Sequence, residues 1–360
     1  MDRRKFIKSA GIAGTVGTVA LAAPAIAKGR EKLTMVTAWG RGLAGVFDAA
    51  QHFADSVNTM SDGLLEVDVK ASGELVSGLG AVFDAVTSGQ ADMYHAADYY
   101  YVGQHAAFGF FTAVPFGMTP NELHNWYYHG DGHKLHLELG EEFGLHSFLA
   151  GNTGPQAGGW FRKEIKSADD FKGLKFRMPG LGGKALGKLG ASVQTLPGSE
   201  IYQALASGAI DGTEWIGPWA DEKAGFQEIT KFYYTSGFHE PGAGLALGLN
   251  KDRFNGLSKA HQKMIEIAAG EANQWNLHQY LANNSQALTR LQASGVQTLE
   301  FPDDVWDAFG KASQEVLDDN MSDPFFKKVR TSVESSMKAS AKWDELSSGA
   351  YTRQRTRVLG

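Results

Sequence analysis

The sequence predicts an α/β protein built as two lobes that close on a cleft, with one long helix running along both. Three observations carry that reading. From Lys32 onward, short apolar runs alternate with helical patterns, which is the signature of layered α/β structure. The octet Ala85-Val86-Thr87-Ser88-Gly89-Gln90-Ala91-Asp92 recurs as Ala204-Leu205-Ala206-Ser207-Gly208-Ala209-Ile210-Asp211, with Ser-Gly and Asp at matching offsets 119 positions apart. That spacing is about one domain length, as two similarly built lobes would require. Finally, Ser258 to Ala293 keeps a helical pattern with no proline.

The elements follow in order. Leu33 to Trp39 reads as a strand, Ala44 to Met60 as an amphipathic helix, Leu64 to Ala71 as an alternating strand and Leu79 to Thr87 as a helix. Each copy of the octet reads as a helix stopped by glycine and followed by a strand. Beyond the first copy come Tyr94, His95 and Tyr99-Tyr100-Tyr101; beyond the second come Glu214, Trp215 and Trp219. Ligands of open α/β sheets bind outside the carboxyl ends of strands, so both segments would face one cleft of a clamshell. Ser258 is a fitting N-cap for the long helix, which at 1.5 Å per residue would reach roughly 50 Å and so pass along both lobes. From Pro302 the chain reads as polar and helical, with a break at Asp323-Pro324.

Composition narrows the function. The 360 residues carry a net charge of -6 and include 43% hydrophobic and 11% aromatic residues, which argues against disorder, a nucleic-acid surface and a polybasic membrane patch. With no cysteine, disulfides, cysteine zinc sites, iron–sulfur clusters and thiol nucleophiles are all absent. Residues 1–27 have the parts of a cleavable leader: a basic start, a Gly/Ala-rich apolar stretch and the small-x-small end Ala25-Ile26-Ala27. Arg3-Arg4 followed by Phe6-Ile7-Lys8 resembles the twin-arginine signature, so a periplasmic location is expected. An anchoring helix is the alternative, but Gly11, Gly14, Gly17 and Pro24 interrupt the stretch, which falls short of a membrane span.

Catalytic signatures are sparse. There is no Gly-x-Ser-x-Gly elbow and no His-Glu-x-x-His, and Gly180-Leu181-Gly182-Gly183-Lys184 continues into Ala185 where a phosphate loop needs Ser or Thr. His129, His133 and His136 have helix-like offsets that could bind zinc, although Gly130 and Gly132 interrupt them. A better candidate is Leu174-Lys175-Phe176-Arg177-Met178-Pro179, a strand ending in a cation before a helical pattern. Its guanidinium beside a helix N-terminus would make an anion seat; an arginine paired with a surface acid is the plainer alternative. Gln156, Glu214, the Trp215 carbonyl and Glu240 are hard oxygen donors suited to calcium or sodium, provided that they converge. Ordinary surface carboxylates are the alternative there, and Glu214 with Glu240 as a hydrolase carboxylate pair is another.

The segments Gly151-Asn152-Thr153-Gly154-x-Gln156-x-Gly158-Gly159-Trp160-Phe161-Arg162-Lys163-Glu164, Gly173-Leu174-Lys175-x-Arg177 and Asp211-Gly212-Thr213-Glu214-Trp215-x-Gly217-Pro218 resemble the receptors of TRAP transporters. More narrowly they are similar to the branch that binds small α-keto or α-hydroxy monocarboxylates, such as pyruvate and lactate, with a metal ion. The likeness extends through Ala71-Ser72-Gly73-Glu74-Leu75-Val76, Tyr99-Tyr100-Tyr101 and Val114-Pro115-Phe116-Gly117. It departs at Phe238-His239-Glu240-Pro241, which replaces a more aromatic stretch, and at Gly40-Arg41-Gly42-Leu43.

The resemblance implies a two-lobed periplasmic binding protein fold without catalysis, which hands its ligand to membrane subunits of a transporter. It implies lobe I over 28–151, completed by part of 241–295, and lobe II over 152–240, completed by part of 296–360. By the same resemblance Arg177 pairs with the ligand carboxylate, Asn152 is a polar contact in the cleft, and Gln156, Glu214, Trp215 through its carbonyl and Glu240 hold calcium or sodium. Gln156 and Trp215 would also meet the ligand, and Tyr100 and Tyr101 are further candidates. A dicarboxylate or aromatic acid held without metal is the alternative ligand. The polar helical tail permits a homodimer, as in relatives that exchange a C-terminal helix.

Overall fold

The computed structural model describes residues 29–360, and the 1–27 leader lies outside the described residues. Among the described residues eleven strands occur in chain order: β1 (Glu31–Thr37), β2 (Leu65–Lys70), β3 (Met93–Ala96), β4 (Leu145–Asn152), β5 (Gly159–Phe161), β6 (Lys175–Arg177), β7 (Ser192–Gln194), β8 (Gly212–Thr213), β9 (Phe232–Tyr234), β10 (Gly244–Asn250) and β11 (Gln297–Leu299). They form two sheets, ordered β2-β1-β3-β10-β4 and β7-β6-β8-β5-β9-β11. The pattern of each strand follows its place. Edge strand β2 buries Leu65, Val67 and Val69 and turns Glu66, Asp68 and Lys70 toward solvent, whereas central β10 is apolar and buried almost throughout.

The repeated octet marks a structural repeat. In the first lobe, β1, the helix Val46–Met60, β2, the helix Leu79–Thr87 and β3 follow one another; in the second, β6, Gly180–Lys188, β7, Gly198–Ser207 and β8 do the same. In both, the first strand, β1 or β6, lies between the other two and pairs with each in parallel. Even single hydrogen bonds recur: Ala91 N donates to Ala85 O and Ile210 N to Ala204 O. Asp92 accepts the Thr34 amide at 2.7 Å, and Asp211 accepts the Lys175 amide at 3.0 Å. Gly89 and Gly208 stop the two helices at φ +79 and +76, a conformation that costs other residues energy.

Two extended segments carry the chain between the lobes before the long helix crosses again toward β11. β4 belongs to the first sheet and β5 to the second, while β9 belongs to the second and β10 to the first. The two crossings run side by side, since Gln156 N donates to Glu240 O at 3.0 Å, Gly237 N to Gln156 O at 3.1 Å and Thr153 N to Ala243 O at 3.0 Å.

A 35-residue helix, Lys259–Ala293, starts at the Ser258 cap and packs on β4 and Val46–Met60 of the first lobe and on Pro218–Ala224 of the second. Tyr280 donates to Ala44 O at 2.9 Å and Asn284 accepts the Trp219 amide at 3.0 Å, so this helix grips both lobes. The helix Asp303–Asp318 covers the second lobe. Asp323 then caps Pro324–Asp344, which returns to first-lobe helices before a tail, Ala350–Leu359, that is exposed along its length. Among the described residues no helix is long and apolar enough to cross a membrane.

Candidate functional site

Arg177 is the last residue of β6 and Glu214 directly follows β8, its parallel neighbour. The register that pairs Arg177 with Thr213 therefore sets the two charged side chains next to each other. Both are fully buried, and Arg177 Nη1 donates to Glu214 Oε1. Nε and Nη2 donate to the Leu196 carbonyl at 3.2 and 3.1 Å, and the guanidinium lies 5.4 Å from the centre of the Trp215 ring. Burial is the largest single influence and opposes the Arg177 charge, but the fields of Glu214, Tyr100, Tyr99 and Glu240 together outweigh it and raise the guanidinium's pKa.

The crossing segments bring two more groups. Gln156 donates through Nε2 to Thr153 Oγ1 at 2.9 Å, which fixes its amide and leaves Oε1 buried with no hydrogen-bond partner. Glu214 Oε2 and Glu240 Oε2 are buried and unpartnered as well. Burial, followed by the charge of Glu214, pushes the Glu240 carboxyl well above the usual carboxylate range, with Arg177, Tyr99 and Gln156 acting in the opposite sense. Among the described residues, one set of His, Asp and Glu side chains has the geometry to hold a metal ion: Glu214, His239 and Glu240, with donor atoms within 4.8 Å of one another. Buried oxygens without partners beside a second carboxylate cost energy unless a cation meets them, so this donor set fits a hard ion. No hydrogen bond among the described residues occupies the Trp215 carbonyl.

Across the cleft stands the turn Asp98–Tyr101, a 3-10 helix that rotates successive side chains by about 120°. Its three tyrosines consequently point three ways. Tyr99 acts on Glu240 and packs against Gly180 of the second lobe, where an added Cβ would meet it at 3.2 Å. Tyr100 feels both Arg177 and Glu214, and with Tyr99 it lines a cavity of about 290 Å³ that also borders Met178, Gly180 and Lys184. Tyr101 does not belong to the site: its ring is buried among Phe83, Tyr94 and Phe108 in the lobe core.

Asn152 is likewise engaged elsewhere. Its Oδ1 accepts the Gly154 amide at 2.8 Å and its amide nitrogen faces His124, so it shapes the first crossing and not the Arg177 pocket. Nor do the three histidines of the zinc candidate converge, because His136 is buried between Tyr127 and Asp98 while His129 is exposed. The sequence sets Tyr99 in a segment facing the cleft and His239 beside Glu240 without marking either as a site residue. Both lie next to residues it does mark, and the signal that separates them from their neighbours is backbone rotation, which composition does not carry.

The chain is similar to several known proteins. The model for bacterial extracellular solute-binding protein family 7 (DctP) matches residues 43–323. A monocarboxylate 2-oxoacid-binding periplasmic protein of Nostoc sp. PCC 7120 is 41% identical over 318 residues, 88% of this chain and 87% of that one. Among solved structures, a TRAP transporter solute-binding protein of Bordetella bronchiseptica superposes with a TM-score of 0.90 at 33% identity, over 92% of this chain and 98% of that one. It is a mixed-occupancy dimer with copurified calcium and picolinate in one site. A TRAP periplasmic solute-binding protein of Colwellia psychrerythraea with bound calcium and pyruvate gives 0.87 at 38% identity, covering 90% and 99% of the chains. One from Pseudoalteromonas atlantica with bound sodium and pyruvate gives 0.87 at 37% identity, with the same coverage.

Proposed function

The chain belongs to bacterial extracellular solute-binding protein family 7, the TRAP transporter receptors, and from that premise we propose that it captures a small 2-oxo or 2-hydroxy monocarboxylate together with calcium or sodium. The receptor works outside the cytoplasm and passes its ligand to membrane subunits; it is not an enzyme, and the carboxylate-pair hydrolase reading of Glu214 and Glu240 is dropped. The observation that carries the proposal is the trio of buried, unpartnered oxygens, Gln156 Oε1, Glu214 Oε2 and Glu240 Oε2, beside the Arg177 guanidinium.

Charge argues in the same direction. Arg177 balances one of the two carboxylates, so with Glu240 ionised a monocarboxylate entering alone would leave two negative charges uncompensated in a buried pocket. With a divalent cation the pocket becomes neutral. Gln156, Glu214, the Trp215 carbonyl and Glu240 would hold that cation, which supplies an electrostatic partner for the ligand carboxylate and the oxygen on the adjacent carbon. Arg177 would pair with the same carboxylate, Trp215 backs the guanidinium, and Tyr100 of the opposite lobe lies within reach of the Arg177 charge. A hydroxyl or keto group beside the acid thereby becomes a recognition element.

The 1–27 leader supports export by the twin-arginine route. The exposed apolar side chains of the C-terminal helices, Trp343, Leu346, Tyr351 and Leu359, support a homodimer formed through that tail. The ligand reading is tested by calorimetric titration with pyruvate, lactate and propionate at fixed calcium. Pyruvate or lactate should bind at least 100-fold more tightly than propionate, which lacks the second oxygen; equal affinities would refute chelation of the ligand.

A further inference from the structure

His239 stands apart from the other deeply buried histidines of the chain. His95 accepts from Trp39 Nε1 at 2.8 Å through Nδ1 and meets the Ala150 carbonyl through Nε2, and His136 meets Tyr127 and Asp98 through its two nitrogens. His239 is 2% exposed, yet neither of its ring nitrogens has a hydrogen-bond partner. Its Nε2 lies 3.5 Å from Glu214 Oε2, a long separation for a hydrogen bond but close to the edge between two neighbouring ligands on one ion. The three candidate donor atoms of Glu214, His239 and Glu240 all lie within 4.8 Å of one another, close enough to share a centre.

The imidazole is also held in place. A Cβ on Gly182 would meet the His239 Cβ at 2.7 Å and one on Gly237 would meet its Cε1 at 2.7 Å, so two glycines let the backbone close around the ring. Phe238, the preceding residue, stacks on Phe309 with centroids 3.8 Å apart and anchors the segment.

We infer that His239 Nε2 is a further protein donor to the cation, and that this nitrogen biases the site toward first-row divalent cations over calcium. The inference rests on the cation site proposed above. Oxygen-only shells suit calcium and sodium, while an imidazole nitrogen adds a softer donor for which manganese and its heavier neighbours have the greater affinity.

Pulsed EPR of the metal-stripped protein reloaded with Mn²⁺ and pyruvate tests it without any substitution, because a nitrogen ligand modulates the Mn²⁺ echo. The expected result is ¹⁴N coupling in the native protein and its loss in His239→Gln. Calorimetric titration of Mn²⁺ and Ca²⁺ in the presence of pyruvate should show a preference for Mn²⁺ that falls at least fivefold in His239→Gln. Calcium-dependent pyruvate binding with no ¹⁴N coupling, or a preference unchanged by the substitution, would overturn the role of His239 alone. Failure of both cations to bind would overturn the cation site and this inference with it.

Discussion

Arg177 and Glu214 form an ion pair in which neither side chain is exposed to solvent. Two strand ends of the second lobe hold it, and Glu240 adds a second carboxylate that the pair leaves unbalanced. Removing one member of such a buried pair strands the other charge. Arg177→Met is expected to lower unfolding stability by about 3–5 kcal/mol in urea titrations and to abolish measurable ligand binding. Arg177→Lys, which keeps the charge but not the planar fork, should retain most of the stability and bind weakly. Native affinity in either variant would remove Arg177 from the recognition scheme.

Proton release should accompany cation binding. Burial and Glu214 raise the Glu240 carboxyl, so the ligand-free protein keeps a proton there at pH values where a free glutamate has lost it. A cation needs the deprotonated form and must expel that proton. Calorimetry in buffers of different ionisation enthalpy should therefore show proton release in the native protein, with affinity falling as pH falls. Glu240→Gln should show none of the buffer dependence that Glu240 causes.

Asp221 supplies a second pH test. Its carboxylate accepts from Trp160 Nε1 at 2.9 Å and from the Ile216 and Gly217 amides at 3.0 and 3.1 Å, while burial pushes its pKa from 3.8 up to about 7. The folded state thus holds this proton more tightly than the unfolded state. The stabilisation is full below pH 3.8 and is lost as pH rises through about 7. Relative to Asp221→Asn, the native protein should lose up to about 4 kcal/mol across that window, at about 1.4 kcal/mol per pKa unit. Urea melts at stepped pH read the difference, and parallel curves for the two proteins would contradict it.

Two tyrosines of one turn, Tyr99 and Tyr101, should respond differently. Tyr101→Phe removes a buried hydroxyl with no partner, so stability should stay level or rise and ligand affinity should stay within twofold. Tyr99→Phe removes the hydroxyl that acts on Glu240 and should weaken cation-dependent binding by roughly fivefold, about 1 kcal/mol. Paired titrations of the two variants decide between the assignments made from sequence and from structure.

The fold was legible wherever a local rule determined an element. Leu79–Thr87, Lys259–Ala293 with its Ser258 cap, and the break at Asp323-Pro324 coincide with the sequence reading because caps, glycine stops and proline act within a few residues. The octet repeat was visible for the same reason, since its Asp must reach the neighbouring strand in both lobes. The candidate site was legible in its residue types and only partly in its members. Convergence of Gln156 with Glu240 depends on two chain crossings hydrogen-bonded across some eighty residues, which no local pattern encodes. The choice among Tyr99, Tyr100 and Tyr101 depends on a 3-10 turn, and Asn152 was lost to a bond with the Gly154 amide one turn away.

The central claim is that a cation and a 2-oxo or 2-hydroxy acid occupy one site together. Calorimetric titration of the purified protein with pyruvate, first as isolated, then after chelation and again after calcium add-back, tests it directly. The account predicts tight binding that chelation removes and calcium restores. Binding of undiminished affinity in the chelated protein would contradict it.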